Sequence, residues 1–391
     1  MKRWPNKPLG ELLKIQNGFA FKSELFNDDG KGLPIIRIRD LARGFSETFY
    51  DGEHDPAFEV ENGDFLIGMD GEFHCYRWQG GKALLNQRVC RLQNFSRDLN
   101  AGYVFYGIND HLREIEDNTA FVTVKHLSSK QIASIEMSVP PLEEQERLVK
   151  LLDETDELRK LRAQADRRTA TLIPSLFSKM FGPDAPGSVT WQTATVAELA
   201  AAHEGSIRTG PFGSDLRHSE FFEEGVPVLG IDNVVENEFR WTKSRCIPES
   251  KFAEMKRFVV FPGDVLVTIM GTVGRCSIAP EGLPVCISTK HLCTITLDRT
   301  KAHPRFIWGA FLHDASVKQQ TRSVGKGAIM EGWNSTIIKR LRLRVPPLTL
   351  QKQFAARVSE IRAMKIEQAA SRRRLDDLFQ SILHHAFNGE L

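Results

Sequence analysis

The chain has 391 residues, of which 41% are hydrophobic and 26% charged, and its formal net charge is +2. This length accommodates two compact domains with connecting elements, and the ordinary composition excludes a disordered chain. The N-terminus MKRWPNKPLGELLKIQ lacks the apolar run of a signal peptide, and no apolar stretch approaches the roughly 20 residues of a membrane span, so we expect a cytoplasmic protein.

The first part of the chain reads mainly as short strands. PIIRIRDL at 34–41 and GDFLIGM at 63–69 are bounded by Gly, Pro, Asn and Asp, which is typical of strands joined by turns. AGYVFYGINDHLREI at 101–115 has the spacing of a helix instead. VPPLEEQ at 139–145 then predicts a switch from strand to helix, because two prolines cannot continue a strand but are tolerated in the first turn of a helix.

A long helix is predicted next, over residues 142–182. Pro174 is expected to bend it, and FGPDAPG at 181–187 ends it. Its apolar or small residues follow approximate heptads, at Leu148, Leu151, Thr155, Leu158, Ala165 and Leu172.

The second part of the chain follows the same order. VPVLGIDNV at 226–234 and GDVLVTIM at 263–270 predict strands, and PRFIWGAFLHDASVKQQ at 304–320 predicts a helix. VPPLTLQ at 345–351 again precedes a long helix. Neither long helix has a stripe strong enough for a stable coiled coil alone, so we predict that the two pack on each other antiparallel. The second stripe consists of Phe354, Val358, Ile361, Gln368, Leu375 and Ile382.

The two parts also match segment by segment, which indicates a tandem duplication. Residues 17–26 pair with 209–221, 33–41 with 226–234, 63–71 with 263–271 and, more loosely, 86–92 with 289–297. The predicted fold is α+β, with two β-rich domains and two long antiparallel helices that form a coiled-coil-like spacer with pseudo-two-fold symmetry. The predicted boundaries are 1–141, 142–182, 183–346 and 347–391.

Cysteines, histidines and local charge give weaker signals. The six cysteines include no C-x-x-C pair and lie mostly in apolar segments, which favours reduced core thiols over zinc ligands or disulfides. The histidines lack ligand spacing, so no metal site is predicted. Residues 322–344 carry six Lys/Arg and one acid, Glu331, an excess that suits phosphates but equally describes a solvated face.

The predicted architecture suits a DNA target with two separated halves. A helix of about 35 residues is roughly 50 Å long, and paired readers on duplex DNA commonly lie about 34 Å apart or at multiples of that distance. Antiparallel helices would place one β-rich domain at each end of a rod. The domains differ in their polar tips, as readers of different half-sites would: Arg37, Arg39 and Asp40 align with Gly230, Asp232 and Asn233, and Asp70 and Glu72 align with Met270 and Thr272.

Candidate DNA-binding residues come from these strand ends and loops. Arg, Asn and Gln suit base edges, and Lys and Arg suit phosphates, although each residue could instead be structural. The candidates are Lys22, Ser23, Arg37, Arg39, Arg77, Gln87 and Arg88 in the first domain and Ser214, Asn233, Thr272, Arg275, Lys290, Lys326 and Asn334 in the second.

Over its whole length the sequence resembles the specificity (S) subunit of type I restriction-modification systems. In each half a V-P-P-L joint leads into a long helix, and the terminus LFQSILHHAFNGEL is similar to that family as well. A departure is GKGAIMEGW at 325–333, which has no glycine-rich counterpart in DNTAFVTVKHL at 117–127. Each half opens with a G-F-x-F-x-S-like segment: Gly18, Phe19, Phe21 and Ser23, then Gly210, Phe212 and Ser214.

The resemblance implies a division of labour within a larger complex. Two target recognition domains would bind the two halves of an asymmetric DNA target, and the spacer helices would dock two methyltransferase (M) subunits, which restriction (R) subunits then join. The chain itself would be a non-catalytic subunit with no cofactor. S-adenosylmethionine would belong to the methyltransferase, and ATP and Mg to the restriction subunit.

Two other interpretations stay open at this point. A fragment of a DNA adenine methyltransferase would need an acidic or amide residue before Pro-Pro-aromatic and a glycine-rich cofactor loop, but the nearest match, DPAF at 55–58, lacks the second proline. The sequence contains no G-x-x-x-x-G-K-[ST] loop, so nucleotide hydrolysis is not predicted. A coiled-coil scaffold that binds proteins would leave the matched frames and mismatched tips of the β-rich domains unexplained.

Overall fold

The computed structural model describes residues 4–118, 125–212, 215–242, 245–322 and 332–390. The chain forms two compact units. Unit 1 comprises Met1–Ala163 and Ala369–Leu391, and unit 2 comprises Gln164–Gln368. Unit 1 is therefore built from both ends of the chain.

Unit 1 contains two main sheets and a small one. The order is β2-β10-β7-β8 in the first, β3-β5-β4-β9-β6 in the second and β1-β11 in the third. The described strands are β1 Asn6–Pro8, β2 Lys14–Asn17, β3 Phe26–Asn27, β4 Leu33–Ile36, β5 Phe49–Tyr50, β6 Glu59–Val60, β7 Phe65–Gly68, β8 Cys75–Arg77, β9 Ala83–Leu85, β10 Val89–Gln93 and β11 Glu136–Ser138; the helices are α1 Leu9–Leu12, α2 Ile38–Leu41, α3 Ala101–Asn118, α4 Ser129–Ala133 and α5 Leu142–Ala170.

Unit 2 repeats this plan. Its main sheets have the orders β13-β22-β19-β20 and β17-β14-β21-β18, accompanied by the pairs β12-β23 and β15-β16. The described strands are β12 Thr193–Thr195, β13 Ile207–Thr209, β14 Val226–Leu229, β15 Val234–Val235, β16 Glu238–Phe239, β17 Cys246–Ile247, β18 Val259–Val260, β19 Val265–Thr268, β20 Cys276–Ile278, β21 Cys286–Ser288, β22 Leu292–Ile295 and β23 Arg342–Arg344; the helices are α6 Leu172–Phe181, α7 Val196–Leu199, α8 Glu249–Met255, α9 Pro304–His313, α10 Ala315–Arg322, α11 Ser335–Arg340 and α12 Leu348–Phe387.

Strand register confirms the duplication predicted from the sequence. β4 pairs with β9 in parallel, and β14 pairs with β21 in parallel, whereas the four-stranded sheets around β7 and β19 are antiparallel. Cys90 lies opposite Ile67 in the first unit, and Cys293 lies opposite Val267 in the second. The register therefore gives residue-by-residue equivalence between the two units.

In each unit the antiparallel four-stranded sheet packs on the helix that the sequence predicts after it. In unit 1, Tyr103, Val104 and Ile108 of α3 are fully buried in one core with β7 and β10. In unit 2, the predicted helix at 304–320 is interrupted at Asp314, where α9 ends and α10 begins. All six cysteines are free and buried. Burial raises the pKa of Cys90 to about 12, which keeps the thiol protonated and unreactive.

The strand-to-helix joint of unit 1 contains a buried glutamine. Gln145 donates from Nε2 to the carbonyl oxygens of Asp98 (2.9 Å) and Pro140 (2.8 Å). Its Oε1 accepts the backbone N–H of Asn100 (2.8 Å), just before α3. One side chain thus ties the start of α5 to the start of α3.

The second joint has the same arrangement. Gln351 donates to the carbonyl oxygens of Lys301 (3.3 Å) and Pro346 (2.8 Å), and its Oε1 accepts the N–H of His303 (2.8 Å), just before α9. Both glutamines are fully buried. The repeated sequence of the joint is therefore explained by a repeated hydrogen-bond set.

The predicted helix over 142–182 forms as two helices, α5 and α6, with Thr171 between them. Pro174 has no N–H to donate to the carbonyl of Ala170, which accounts for a break at this point. The predicted stripe is right in part, since Leu148 and Thr155 are buried while Leu158 and Leu172 are exposed. None of the helices in the described ranges has the length and apolar character to cross a membrane.

Within unit 1, α5 packs antiparallel on the last part of α12, as predicted. Leu152 shares a buried cluster with Phe379 and Ile382. Further along α5, Arg159 donates from Nε to Asp376 Oδ1 (2.8 Å) and lies 4.4 Å from the ring centroid of Phe379. In unit 2 the first part of α12 packs on α6, where the ring of Phe354 contacts the rings of Phe177 and Phe181.

Candidate nucleic-acid interface

Three backbone segments of unit 1 meet just beyond the end of β7. The N–H of Met69 donates to the carbonyl of Arg88 (2.9 Å), and the N–H of Leu127 donates to the carbonyl of Met69 (2.7 Å). Asp70 and His126 form an isolated antiparallel bridge beside these bonds. The backbone frame therefore brings Asp70, Arg88 and His126 together.

The Asp70 carboxylate holds the other two side chains. Arg88 donates from Nη1 to Oδ2 of Asp70 (2.7 Å), and Nδ1 of His126 lies 2.7 Å from Oδ1. The Asp70 side chain is 20% exposed, whereas Arg88 and His126 are 57% and 56% exposed. A partly buried anion thus fixes two side chains that face solvent. We call Asp70, Arg88 and His126 the acidic-basic cluster.

Unit 2 has the same frame with different side chains. The N–H of Ile269 donates to the carbonyl of His291 (2.9 Å), and the N–H of Trp333 donates to the carbonyl of Ile269 (2.9 Å). By this register Met270 stands where unit 1 has Asp70, His291 where it has Arg88, and Gly332 where it has His126. Burial, followed by the charge of Lys290, lowers the pKa of His291. The two units share a scaffold and differ in what it presents.

The glycine that opens each repeat brings another segment to the same edge. A Cβ on Gly18 would lie 2.0 Å from the carbonyl oxygen of Asn86, and a Cβ on Gly210 would lie 2.0 Å from that of Ser288. Only glycine permits this approach. Gly18 therefore lies directly against the segment that carries Gln87 and Arg88, and the exposed Phe19 follows it.

The remaining sequence-predicted residues of unit 1 fall into two groups. Lys22, Ser23, Arg39 and Gln87 are exposed. Two arginines are tied to the protein instead: Arg37 donates to the Thr48 hydroxyl, and Arg77 donates to Asp153 (3.3 Å) while lying over the rings of Phe65 and Phe105. These contacts give Arg37 and Arg77 structural roles, and their role in DNA binding stays a prediction.

In unit 2 the predicted residues are similarly divided. Arg275 is exposed and Lys290 is half-buried. Asn233 is buried, with its Oδ1 accepting the N–H of Gly230 (2.8 Å) and its Nδ2 donating to the carbonyl of Arg240 (2.9 Å).

Two further predicted residues of unit 2 lie in local turns. Thr272 is half-buried, and its carbonyl accepts the hydroxyl of Thr268. Asn334 is exposed and caps α11 by accepting the N–H of Ile337 (2.9 Å). Ser214 and Lys326 lie outside the described residues.

Sequence reasoning did not select Asp70 or His126 as site residues. In the sequence Asp70 stands out only as a mismatched tip, and His126 has no spacing to other histidines that would indicate a site. The two residues are 56 positions apart, and the intervening α3 and loops give no local motif that would pair them. The available signal was the mismatch of Asp70 with Met270 inside an otherwise matching frame.

Comparison with known proteins shows the family of the chain. The family model described as type I restriction modification DNA specificity domain matches residues 1–166 and 189–374. The chain is 28% identical to the type I restriction enzyme EcoBI specificity subunit of Escherichia coli, over 99% of this chain and 86% of that one. It is 21% identical to the type I restriction enzyme MjaVIII specificity subunit of Methanocaldococcus jannaschii, over 92% and 86%.

Two solved structures share the fold. The type I restriction-modification S subunit from M. genitalium matches with a TM-score of 0.59 at 14% identity, over 98% of this chain and 96% of that one. A chain from a structure that concerns complex assembly and conformational transition of the type I R-M system matches with a TM-score of 0.60 at 18% identity, over 100% and 99%. At these identities the two matches show a common fold only.

Proposed function

Because this chain belongs to the family of type I restriction-modification DNA specificity subunits, we propose that each of its two units reads one half of a bipartite DNA target. The observation that carries the proposal is the common backbone frame beyond β7 and β19, which presents Asp70 and Arg88 in one unit and Met270 and His291 in the other. A common frame fixes how each unit lies on DNA, and different side chains select different bases.

The long helices are the proposed docking surface for two methyltransferase subunits, which restriction subunits then join. Support comes from apolar side chains that the helices leave in solvent: Leu158 and Leu161 of α5 are 51% and 52% exposed, and Ile366 of α12 is 67% exposed. Leu158 and Leu161 lie one turn apart on α5, and neighbouring exposed apolar residues of this kind mark protein interfaces, whereas isolated ones do not.

In the proposed complex this chain supplies recognition and its partners supply the chemistry. The proposal assigns S-adenosylmethionine to the methyltransferase subunits, and ATP and Mg²⁺ to the restriction subunits. It is supported by the sequence, which has DPAF at 55–58 where an adenine methyltransferase needs Pro-Pro-aromatic. The purified chain alone is accordingly expected to transfer no labelled methyl group to DNA.

The test is to assemble the chain with its methyltransferase and to map methylated sites across a genome. We expect a motif with two specified parts and an unspecified gap. Gln87→Ala should change the bases accepted in one part only, and His291→Ala should change those accepted in the other, because each residue lies in a different unit. Both variants need thermal unfolding curves close to that of the parent chain.

Two results would contradict the proposal. The first is a single uninterrupted motif. The second is that Gln87→Ala and His291→Ala alter the same part, which would mean that the units do not read separately. Methyl transfer by the isolated chain would overturn the assignment of catalysis to the partner.

A further inference from the structure

We propose that Arg88 reads a guanine in the half-site bound by unit 1, and that Asp70 is the positioning residue that holds the guanidinium in its reading orientation. This inference rests on the proposed function and goes beyond it, because it assigns one base to one side chain. The observations behind it are the bonds of the acidic-basic cluster, the free edge of Arg88 and the charge balance around it.

The geometry leaves the useful edge of Arg88 free. Asp70 accepts a hydrogen bond from Nη1 of the guanidinium. The remaining donors, Nη2 and Nε, share one edge, and neither has a hydrogen-bond partner among residues 4–118, 125–212 and the other described ranges. Two parallel donors on one edge match the O6 and N7 acceptors that guanine presents in the major groove.

The Asp70 carboxylate is fixed at both oxygens. Oδ2 accepts from Arg88, and Oδ1 lies 2.7 Å from Nδ1 of His126, which holds the plane of the carboxyl group. Below it, the backbone bonds of Met69 to Arg88 and Leu127 fix the two chain segments relative to each other. Such support lowers the entropy lost when Arg88 engages a base, and it restricts the guanidinium to one direction.

Charge balance favours a base over a phosphate. An arginine that binds phosphate gains nothing from a carboxylate 2.7 Å away, because that negative charge repels the phosphate. The acceptors of guanine are neutral, so the carboxylate orients the arginine without opposing the contact. Unit 2 has Met270 and His291 at the equivalent positions, and the inference is therefore confined to the half-site of unit 1.

The experiment uses the chain assembled with its methyltransferase. Arg88→Lys keeps the positive charge but removes the two-donor edge, so we expect one guanine position in the half-site of unit 1 to lose discrimination by roughly 5- to 150-fold, which corresponds to about 1–3 kcal/mol at ~1.4 kcal/mol per tenfold. Asp70→Asn should relax the same position by a smaller factor. The readout is the methylated motif, position by position.

A second measurement changes the DNA as well as the protein. Replacing that guanine by 7-deazaguanine in a synthetic duplex removes the N7 acceptor and leaves pairing intact. The parent complex should bind this duplex more weakly than the unmodified one, and the Arg88→Lys complex should show a smaller difference between the two duplexes. This coupling would separate a direct contact from a general loss of structure.

Arg113→Lys is the matched control. Arg113 is 71% exposed and its Nη1 lies 3.7 Å from Oδ1 of Asp110, so it is, like Arg88, an exposed arginine paired with an aspartate, but it lies on α3. The variant should leave the methylated motif unchanged.

The inference is overturned by any of four results: no G·C pair in the half-site of unit 1, equal weakening of all sequences by Arg88→Lys, an effect confined to the other half-site, or indifference of the parent complex to 7-deazaguanine. A bipartite motif combined with one of these results would leave the proposed function standing.

Discussion

Gln145 and Gln351 show how much a single side chain holds in this fold. Each fully buried amide satisfies two carbonyl groups and one N–H group, on segments about 45 to 50 positions away in sequence as well as next to it. Buried polar groups that lose a partner cost about 1–3 kcal/mol each. These glutamines therefore stabilise the junction where a β-rich domain meets its long helix.

Replacing Gln351 by leucine tests this. We expect Gln351→Leu to lower the free energy of unfolding by about 2–4 kcal/mol, because it leaves the His303 N–H and two carbonyl groups without partners in a buried place. Gln353→Leu is the control, since Gln353 is exposed two residues further along α12 and should change stability by less than about 0.5 kcal/mol. Calorimetric unfolding of both variants decides; equal effects would refute the role assigned to Gln351.

The sequence indicates the positions of these two glutamines only through the repeat of the joint. The glutamine belongs to the repeated joint and was visible there, but its partners were not, because Asp98 and Asn100 lie in a turn with no recognisable motif. The same holds for Asp70 and His126. Contacts over 40 to 60 residues depend on how strands pair, and strand pairing is not encoded in short windows of sequence.

At the scale of elements, the antiparallel sheets around β7 and β19 each contain an Arg–Asp ion pair, and its arginine lies on a different strand in each unit. In unit 1, Arg91 of β10 donates to Asp64 (3.1 Å), and Gln16 of β2 lies opposite Arg91. In unit 2, Arg208 of β13 donates to Asp264 (2.6 Å), and Thr294 of β22 lies opposite Arg208.

By register, Gln16 is equivalent to Arg208 and Arg91 to Thr294. The arginine has therefore moved to the neighbouring strand while the aspartate has stayed. In both units it also donates to a backbone carbonyl at the equivalent strand start, that of Glu59 and that of Val259. Residues that face each other across a strand pair can exchange roles because their side chains leave the same face of the sheet.

The exchange can be tested in unit 1. Arg91→Thr should lower the free energy of unfolding by about 2 kcal/mol, since Asp64 and two carbonyl groups lose a charged donor. Adding Gln16→Arg reproduces the arrangement of unit 2 and should restore at least half of the loss. Denaturant titrations of the parent, both single variants and the double variant measure this coupling. A double variant no more stable than Arg91→Thr would show that the two positions are not interchangeable.

The apolar stripe predicts the buried face of α12 well and the buried face of α5 only in part. The stripe of α12 at Phe354, Val358 and Ile382 is buried. In α5 the heptad pattern pointed to Leu158, which is exposed, because an approximate stripe specifies a face only to within a residue or two. If Leu158 contacts a methyltransferase, as proposed, the apolar residue at this position is explained by a partner protein and not by packing within the chain.

For the whole molecule, the duplication was readable from the sequence because strand patterns and turn glycines were kept in order. The sequence further predicts that the long helices set the distance between the two readers. Four residues inserted near Ala163, within α5, would lengthen a helix by about 6 Å. We expect the two parts of the methylated motif to move one or two base pairs apart, with the bases in each part unchanged and some loss of affinity.

Mapping methylated sites with the extended chain is the measurement. An insertion of seven residues, which completes a heptad and keeps the apolar face in register, serves as the comparison and should shift the gap further with a smaller loss of affinity. An unchanged gap with activity retained would show that the helices do not determine the spacing.

Unit 1 contains residues from both ends of the chain, and this has a consequence for its synthesis. Phe387 of the final helix packs on Tyr103, with ring centroids 4.8 Å apart, and Ala386 is fully buried in the same core. Unit 1 emerges from the ribosome first but cannot complete its core until residues 369–391 are made, after the whole of unit 2. At about 5–20 residues per second, unit 2 takes on the order of 10–40 s to be translated. During that interval the nascent unit 1 exposes the apolar surface that Ala386 and Phe387 later cover, and a ribosome that stops before residue 386 leaves that surface exposed.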